Sequence, residues 1–196
     1  PPRSTLFPYT TLFRSPIPEE RVIEAPEQFS IMLNERKLVF LDTPGHSLHH
    51  YCIIDEKSNG IFTGDTFGIS FNRFNTSKGV FIFPSASPSQ CDPVVAHSSI
   101  ERLLSYKPKY VYLTHYGRYE EPEVLAKELH KFLDKYIALV QKCNDVESLK
   151  KGLEEAFWNR LEEIGTPIKK EEALEILEID TKLNSQGLTG WKNRKK

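Results

Sequence analysis

The chain has 196 residues, of which 39% are hydrophobic and 27% are charged, and its formal net charge is −1. This composition is typical of a globular protein. The near-neutral charge argues against a general nucleic-acid binder, and no apolar run is long enough to span a bilayer. We therefore expect neither a nucleic-acid nor a membrane partner.

Residues 1–15 read PPRSTLFPYTTLFRS, which is unlike the rest of the chain. One set of codons for this segment is the sequence of a sequencing-library adapter, and it accounts for every residue of the segment. The alternative is a disordered tail rich in Pro, Ser and Thr. We interpret residues 1–15 as an adapter-derived scar and exclude them from the fold. We expect the natural chain to begin before Pro16, so a signal peptide upstream would be hidden.

Strand patterns dominate the first part of the native sequence. β-Branched and aromatic runs bounded by Gly, Pro, Asn and Asp predict strands over 29–33, 37–41, 50–55 and 61–63. Two of these runs end abruptly in polar turns, one leading to His46 and the other to Gly64-Asp65. A later run, 110–113, ends in Thr114-His115. Two imidazoles and a carboxylate, each delivered by a strand end, predict part of a zinc site.

Three segments in this order, TPGHSLHH (43–50), TGD (63–65) and LTHYG (113–117), resemble the second half of a metallo-β-lactamase-fold hydrolase. The resemblance implies an α/β fold of the αββα-sandwich type, of which 16–118 would be the C-terminal half. It implies that His46, Asp65 and His115 are metal ligands, with Asp65 bridging two ions. His50 would support a ligand from behind or line the pocket. The first signature of the family, a His-x-His-x-Asp-His loop, does not occur in this chain.

The same resemblance implies the chemistry. A glyoxalase-II-like enzyme with two Zn²⁺ ions would use a metal-bound hydroxide to attack an ester, thioester, lactone or related bond in a small-molecule substrate, and Asp65 would be catalytic. Iron is possible in place of zinc, because the same residues bind it. Since the upstream ligands are missing, we expect the chain as given to bind metal weakly and to be inactive. An iron-dependent redox enzyme and a non-catalytic interaction protein remain the alternatives.

The connection over 67–88 is long and rich in aromatic residues, and such loops are often binding loops. We therefore consider Phe71, Phe74 and Phe81 as candidate walls of a substrate pocket. The competing interpretation is that these rings pack beneath the loop as core residues.

Helical patterns dominate the remainder. Asp92-Pro93 predicts a helix start, and the helix continues to Tyr106. After Gly117 we predict a helical extension over 119–183, with Asn144 and Glu147 as a capping box, and a frayed tail over 184–196. These helices either pack on their own domain, which we favour, or form a separate partner-binding module. A homo-oligomer is possible.

The remaining candidate ligands have simpler interpretations. Cys52, Cys91 and Cys143 form no pairing framework, which favours a reduced, cytoplasmic setting. His97 and His130 fall within predicted helices, and we interpret them as surface residues.

Overall fold

The structure, a computed structural model, describes residues 18–88, 90–115 and 117–195. The adapter-like segment 1–15 and the expected domain start at Pro16 lie outside these ranges. Two short 3₁₀ turns, Glu19–Arg21 and Asn72–Phe74, accompany the strands and helices.

Eight strands are present in the described part of the chain. In chain order they are β1 (Ser30–Leu33), β2 (Arg36–Asp42), β3 (Tyr51–Asp55), β4 (Gly60–Gly64), β5 (Ile69–Ser70), β6 (Ile82–Phe83), β7 (Tyr110–Leu113) and β8 (Gly117–Glu120). Six of them form one sheet in the order β1-β2-β3-β4-β7-β8, while β5 and β6 pair separately. All neighbours in the large sheet are antiparallel except β4 and β7, which are parallel. As a result β2, β4 and β7 run in the same direction and end at the same edge.

Five helices follow or cover the sheet. They are α1 (Pro93–Ser105), α2 (Pro122–Lys142), α3 (Val146–Glu163), α4 (Lys170–Ile176) and α5 (Glu178–Arg194). The mixed composition of strands and C-terminal helices confirms the predicted α/β class. Helix α1 starts as predicted, because the Asp92 carboxylate accepts hydrogen bonds from the backbone N–H groups of Val94 and Val95.

Three details of the chain from Gly117 onward differ from the prediction. The cap of α3 is Asp145, which accepts from the Ser148 N–H at 2.8 Å, and not Asn144. The predicted tail over 184–196 is helical as far as Arg194, because α5 continues through it and buries Trp191. Strand β8 was not predicted, since its residues are mostly exposed and charged and carry no apolar alternation.

Two apolar cores meet along α2. The sheet core joins Leu41, Ile61 and Val111 to α1 and to the first half of α2. The helical core joins the second half of α2 to α3, α4 and α5, and it includes Phe74, Phe81 and Phe83 from the loop over 67–88. The C-terminal helices therefore pack on the same domain as the strands, which is the arrangement that we favoured.

The second face of the sheet is open among the described residues. Tyr51 and Phe62 are 54% and 44% exposed, and the whole of β1 is exposed. Phe62 stacks on Tyr112 at a ring-centroid distance of 4.7 Å, so part of this face is aromatic. Aromatic and apolar side chains thus remain exposed on this face of the sheet. Among the described residues no helix is apolar enough over a sufficient length to cross a membrane.

Phe157 tests whether the loop and the helices form one cooperative unit. Its side chain is fully buried, and its ring lies 4.5 Å from Phe83 and 5.9 Å from Phe81, measured between centroids. Replacing Phe157 with Ala should lower the free energy of unfolding by about 3–5 kcal/mol, because the ring is lost and a cavity remains. Chemical denaturation followed by both helical circular dichroism and aromatic fluorescence would measure this.

The exposed Glu155 on the same helix provides the control, and Glu155→Ala should change stability by less than about 0.5 kcal/mol. If Phe157→Ala separated the two spectroscopic transitions and left one of them unmoved, the helices would be an independent module.

Candidate metal centre

The three predicted ligands lie beyond the ends of parallel strands. His46 follows β2, Asp65 follows β4, and His115 follows β7. The parallel pairing of β4 with β7 brings the chain segments carrying Asp65 and His115 side by side. His46 reaches them through the turn after β2, where Gly45 has φ 139° and a Cβ would lie 2.6 Å from the Ala96 backbone. Glycine is therefore required next to His46.

The Asp65 carboxylate lies between the two imidazoles. His46 Nε2 is 3.6 Å from Asp65 Oδ2, and His115 Nε2 is 3.5 Å from Asp65 Oδ1. Each oxygen thus faces a different histidine. Asp65 Oδ1 is buried and has no hydrogen-bond donor. This carboxylate oxygen is therefore available to bind a cation.

These distances suit donors that share a metal ion. Two donor atoms about 2.0 Å from one tetrahedral ion lie about 3.3 Å apart. Because the histidines face opposite oxygens, the arrangement fits a carboxylate that bridges two ions. Within the described ranges no three His, Cys, Asp or Glu side chains surround one ion. The described residues thus bring partial ligand sets together and do not complete either.

The ring of His46 is oriented from behind by a backbone carbonyl. Its Nδ1 lies 3.1 Å from the oxygen of Ser85, which can only accept, so Nδ1 carries the proton. In the neutral ring Nε2 is then the nitrogen with the free lone pair, and it is the one directed at Asp65. Such a second hydrogen bond is how ligand histidines are commonly held in the metal-binding tautomer.

His50 supports the backbone of Asp65. The Asp65 N–H donates to His50 Nε2 at 3.1 Å, so Nδ1 carries the proton and donates to Thr66 Oγ1 at 2.9 Å. The Thr66 hydroxyl in turn donates to the carbonyl of Thr43. Burial lowers the pKa of His50, and the neighbouring His46 lowers it further. His50 is therefore held as a neutral imidazole.

A second glycine permits this contact. Gly64 has φ 50°, and a Cβ at this position would lie 2.5 Å from His50 Cε1. Any other residue between Thr63 and Asp65 would push the imidazole away from the Asp65 N–H.

Residues that the sequence did not indicate hold the Ser85 carbonyl in place. Asn184, on α5, accepts from the Ala86 N–H at 2.7 Å and donates to the Pro84 carbonyl at 3.3 Å, so it grips the chain on both sides of Ser85. The Tyr136 hydroxyl also donates to the Pro84 carbonyl, at 3.0 Å. No local pattern could have shown this, because about a hundred residues separate the partners. The segment around Asn184 was interpreted as a tail.

Asp180 brings a further charge near the site. Burial raises the pKa of this carboxyl to about 6, and the charge of His115 partly opposes the effect. A carboxyl with a raised pKa therefore belongs to the surroundings of His115.

A small cavity adjoins the predicted ligands. It measures about 10 Å³ and is lined by His46, Asp65, Ser85, Cys91 and Tyr136, among others. That volume suits roughly one water molecule. Cys91 thus lies beside the site, yet burial raises the pKa of its thiol to about 11. The thiol is protonated at neutral pH, which does not favour a ligand role in this state.

The three candidate pocket phenylalanines are not assembled around the site. Phe74 and Phe81 are fully buried in the helical core, where their rings pack edge to face at 5.4 Å, and neither lines the cavity. Phe71 is partly buried and stacks on Phe83 at 6.3 Å. The competing interpretation, that these rings pack beneath the loop, describes Phe74 and Phe81, because apolar side chains of the loop supply the helical core.

Comparisons with known proteins identify the family of this chain. The model of the metallo-beta-lactamase superfamily matches residues 3–115. The metallo-beta-lactamase fold-containing protein ST1585 of Sulfurisphaera tokodaii is 30% identical over 113 residues, which are 58% of this chain and 38% of that protein. The chain therefore spans 38% of the length of this curated relative.

Solved structures share the fold. The crystal structure of the archaeal metallo-beta-lactamase superfamily protein ST1585 from Sulfolobus tokodaii aligns with a TM-score of 0.58 and 24% identity, covering 90% of this chain and 55% of that one. A beta-lactamase domain protein from Burkholderia ambifaria aligns with a TM-score of 0.51 and 12% identity, covering 90% and 47%. The resemblance suggested by the three motifs is thereby confirmed: the chain belongs to the metallo-beta-lactamase superfamily.

Proposed function

We propose that this protein is a metal-dependent hydrolase of the glyoxalase-II-like type, which cleaves an ester, thioester, lactone or related bond in a small molecule. Membership of the superfamily supports metal-dependent hydrolytic chemistry in general. One observation supports the site: the two oxygens of Asp65 face His46 and His115 separately, at 3.6 and 3.5 Å, and one of them lacks a hydrogen-bond donor.

The donor set fits divalent zinc or iron, since both accept imidazole and carboxylate. His46 and His115 would each supply one nitrogen, and Asp65 would supply one oxygen to each of two ions. When bound, such ions act as Lewis acids and lower the pKa of water from about 15.7 to about 7, which provides a nucleophile at neutral pH.

The surrounding residues keep these ligands in the required form. The Ser85 carbonyl keeps the proton of His46 on Nδ1. His50 accepts a hydrogen bond from the N–H of Asp65 and thereby fixes the position of the Asp65 backbone, from which the carboxylate extends. The apolar walls of the small cavity exclude bulk water from this side, which strengthens the attraction between carboxylate and cation.

Hydrolysis would require more metal ligands than His46, Asp65 and His115. The His-x-His-x-Asp-His signature is absent from the sequence, and the described residues complete neither ligand set. We therefore propose that this chain, purified as it stands, binds zinc weakly and does not turn over substrate. Two tightly held ions per chain would contradict this part of the proposal.

Asp65 gives the direct test. Replacing Asp65 with Asn keeps the shape but removes the charge that both imidazoles face, so zinc affinity should fall by about 10–100-fold. Isothermal titration with zinc chloride, using chain freed of metal by a chelator, measures the change. In an active full-length form, the same substitution should abolish hydrolysis of a panel of esters, thioesters and lactones.

Asp42, an exposed carboxylate at the end of the neighbouring strand β2, is the matched control. Asp42→Asn should leave zinc binding and hydrolysis unchanged. Equal affinities for the Asp65→Asn variant and the parent chain would overturn the metal assignment. Zinc binding without hydrolysis of any tested bond by an active full-length form would instead overturn the substrate class.

Asn184 tests whether α5 positions His46. Replacing Asn184 with Ala frees the Pro84–Ala86 backbone that presents the Ser85 carbonyl, so we expect a drop in zinc affinity of about tenfold. Stability should fall by about 1–3 kcal/mol, because the Ala86 N–H loses its buried acceptor. Zinc titration and denaturant unfolding measure the two effects separately.

The exposed Asn144 is the control, and Asn144→Ala should alter neither quantity. A lower stability of Asn184→Ala together with unaltered zinc affinity would show that the contact supports the fold and not His46.

A further inference from the structure

A second histidine cluster lies between α1 and α2, apart from the centre described above. Each helix carries a histidine followed four residues later by an acid: His97 and Glu101 on α1, and His130 and Asp134 on α2. Residues four apart share a helix face, so each histidine lies on the same side of its helix as its acid, and the two acids are mostly exposed. The pairs meet crosswise, with His97 next to Asp134 and His130 next to Glu101. The two helices therefore contribute equivalent parts to one cluster.

The two imidazoles point the same kind of nitrogen at each other. His97 Nδ1 and His130 Nδ1 are 2.6 Å apart, and the ring planes differ by only 3°. The outer nitrogens face carboxylates: His130 Nε2 lies 2.7 Å from Glu101 Oε1, and His97 Nε2 lies 3.4 Å from Asp134 Oδ1. A carboxylate can only accept, so both contacts favour a proton on Nε2.

This arrangement places two nitrogen lone pairs opposite each other in the middle of the histidine cluster. With protons on both Nε2 atoms, neutral rings would direct two lone pairs at each other across 2.6 Å. A cation between the two nitrogens would remove this repulsion, and either one shared proton or one metal ion could supply it. Carboxylate behind imidazole is also the arrangement that orients metal-binding histidines and makes them stronger donors.

We propose that His97 and His130 form a second metal site, which takes Zn²⁺ or a similar imidazole-preferring ion through the two Nδ1 atoms. Glu101 and Asp134 accept from the Nε2–H groups, and water completes the coordination. The site is separate from Asp65 and does not depend on the proposed hydrolase function. Two imidazoles alone would hold the ion, since the described residues offer no third His, Cys, Asp or Glu ligand.

The surroundings allow an ion to enter. The His97 and His130 side chains are 27% and 23% exposed, so water reaches the cluster. Two nitrogens on one tetrahedral ion lie about 3.3 Å apart, so the rings must separate by roughly 0.7 Å. Histidines at a helix–helix surface can do this by small side-chain rotations. Since each helix supplies one nitrogen, the ion would link α1 to α2.

Zinc titration of single and double variants tests the proposal. His97→Gln and His130→Gln should each remove the same single equivalent of zinc, and the double variant should lose no more than either one. Glu101→Gln should keep the equivalent but weaken it by about tenfold, because the carboxylate behind His130 is lost. Repeating the series in the Asp65→Asn chain separates this equivalent from any ion held at the other centre.

His49, an exposed histidine outside the cluster, serves as the control, and His49→Gln should change nothing. Unchanged zinc stoichiometry and affinity in both His97→Gln and His130→Gln would overturn the proposal. If either variant unfolds, ¹⁵N spectra of the unaltered chain decide the question: zinc should shift the Nδ1 signals of His97 and His130 together. Unmoved signals at saturating zinc would refute the site.

Discussion

The candidate centre depends on the parallel pairing of β4 with β7. Every other neighbour in the large sheet is antiparallel, so this one pairing brings the end of β7 beside the end of β4. A parallel connection needs a crossover, and α1 supplies it between the two strands. The distance between His115 and Asp65 is thus set by a backbone ladder and not by flexible loops. A rigid strand edge is what a site with tight geometric demands requires.

A short series of hydrogen bonds connects the C-terminal helices to the sheet edge that carries the candidate ligands. Asn184 holds Pro84 and Ala86, the Ser85 carbonyl between them accepts from His46, and His46 faces Asp65. Asn184 is buried and its hydrogen bonds are satisfied, so this contact fixes one arrangement of the segment. The helical core beneath it keeps α5 in place through Leu188 and Trp191. Packing far from the centre therefore determines how one ligand ring is aimed.

Local sequence patterns predicted those features that depend on interactions between residues close together in the sequence. Strand ends at His46 and Asp65, the Asp92 cap and the α/β class follow from turn residues, capping and apolar alternation. Contacts across long sequence separations could not be predicted this way. Ser85 acts through its backbone carbonyl, which no side-chain motif marks, and Asn184 belongs to a helix of low apolar content.

Two ambiguities in the sequence have a common cause. The aromatic residues of the loop over 67–88 suit either a pocket wall or a core, and only the position of α3 decides between them. With Phe157 packed against Phe81 and Phe83, the core interpretation holds for Phe81. Likewise, His97 and His130 suit a solvated helix face until α1 and α2 are seen to pack together and bring their Nδ1 atoms within 2.6 Å.

The two histidine clusters also differ in what lies behind each ring. At the candidate centre, His46 donates to a neutral carbonyl, while at the α1–α2 surface His130 donates to the Glu101 carboxylate. A carboxylate behind the ring makes imidazole a stronger donor. The centre instead obtains its negative charge in front, from Asp65, where a cation is attracted directly. The two clusters thus place the acidic charge on different sides of the imidazole: in front of the ring of His46 at Asp65, and behind the ring of His130 at Glu101.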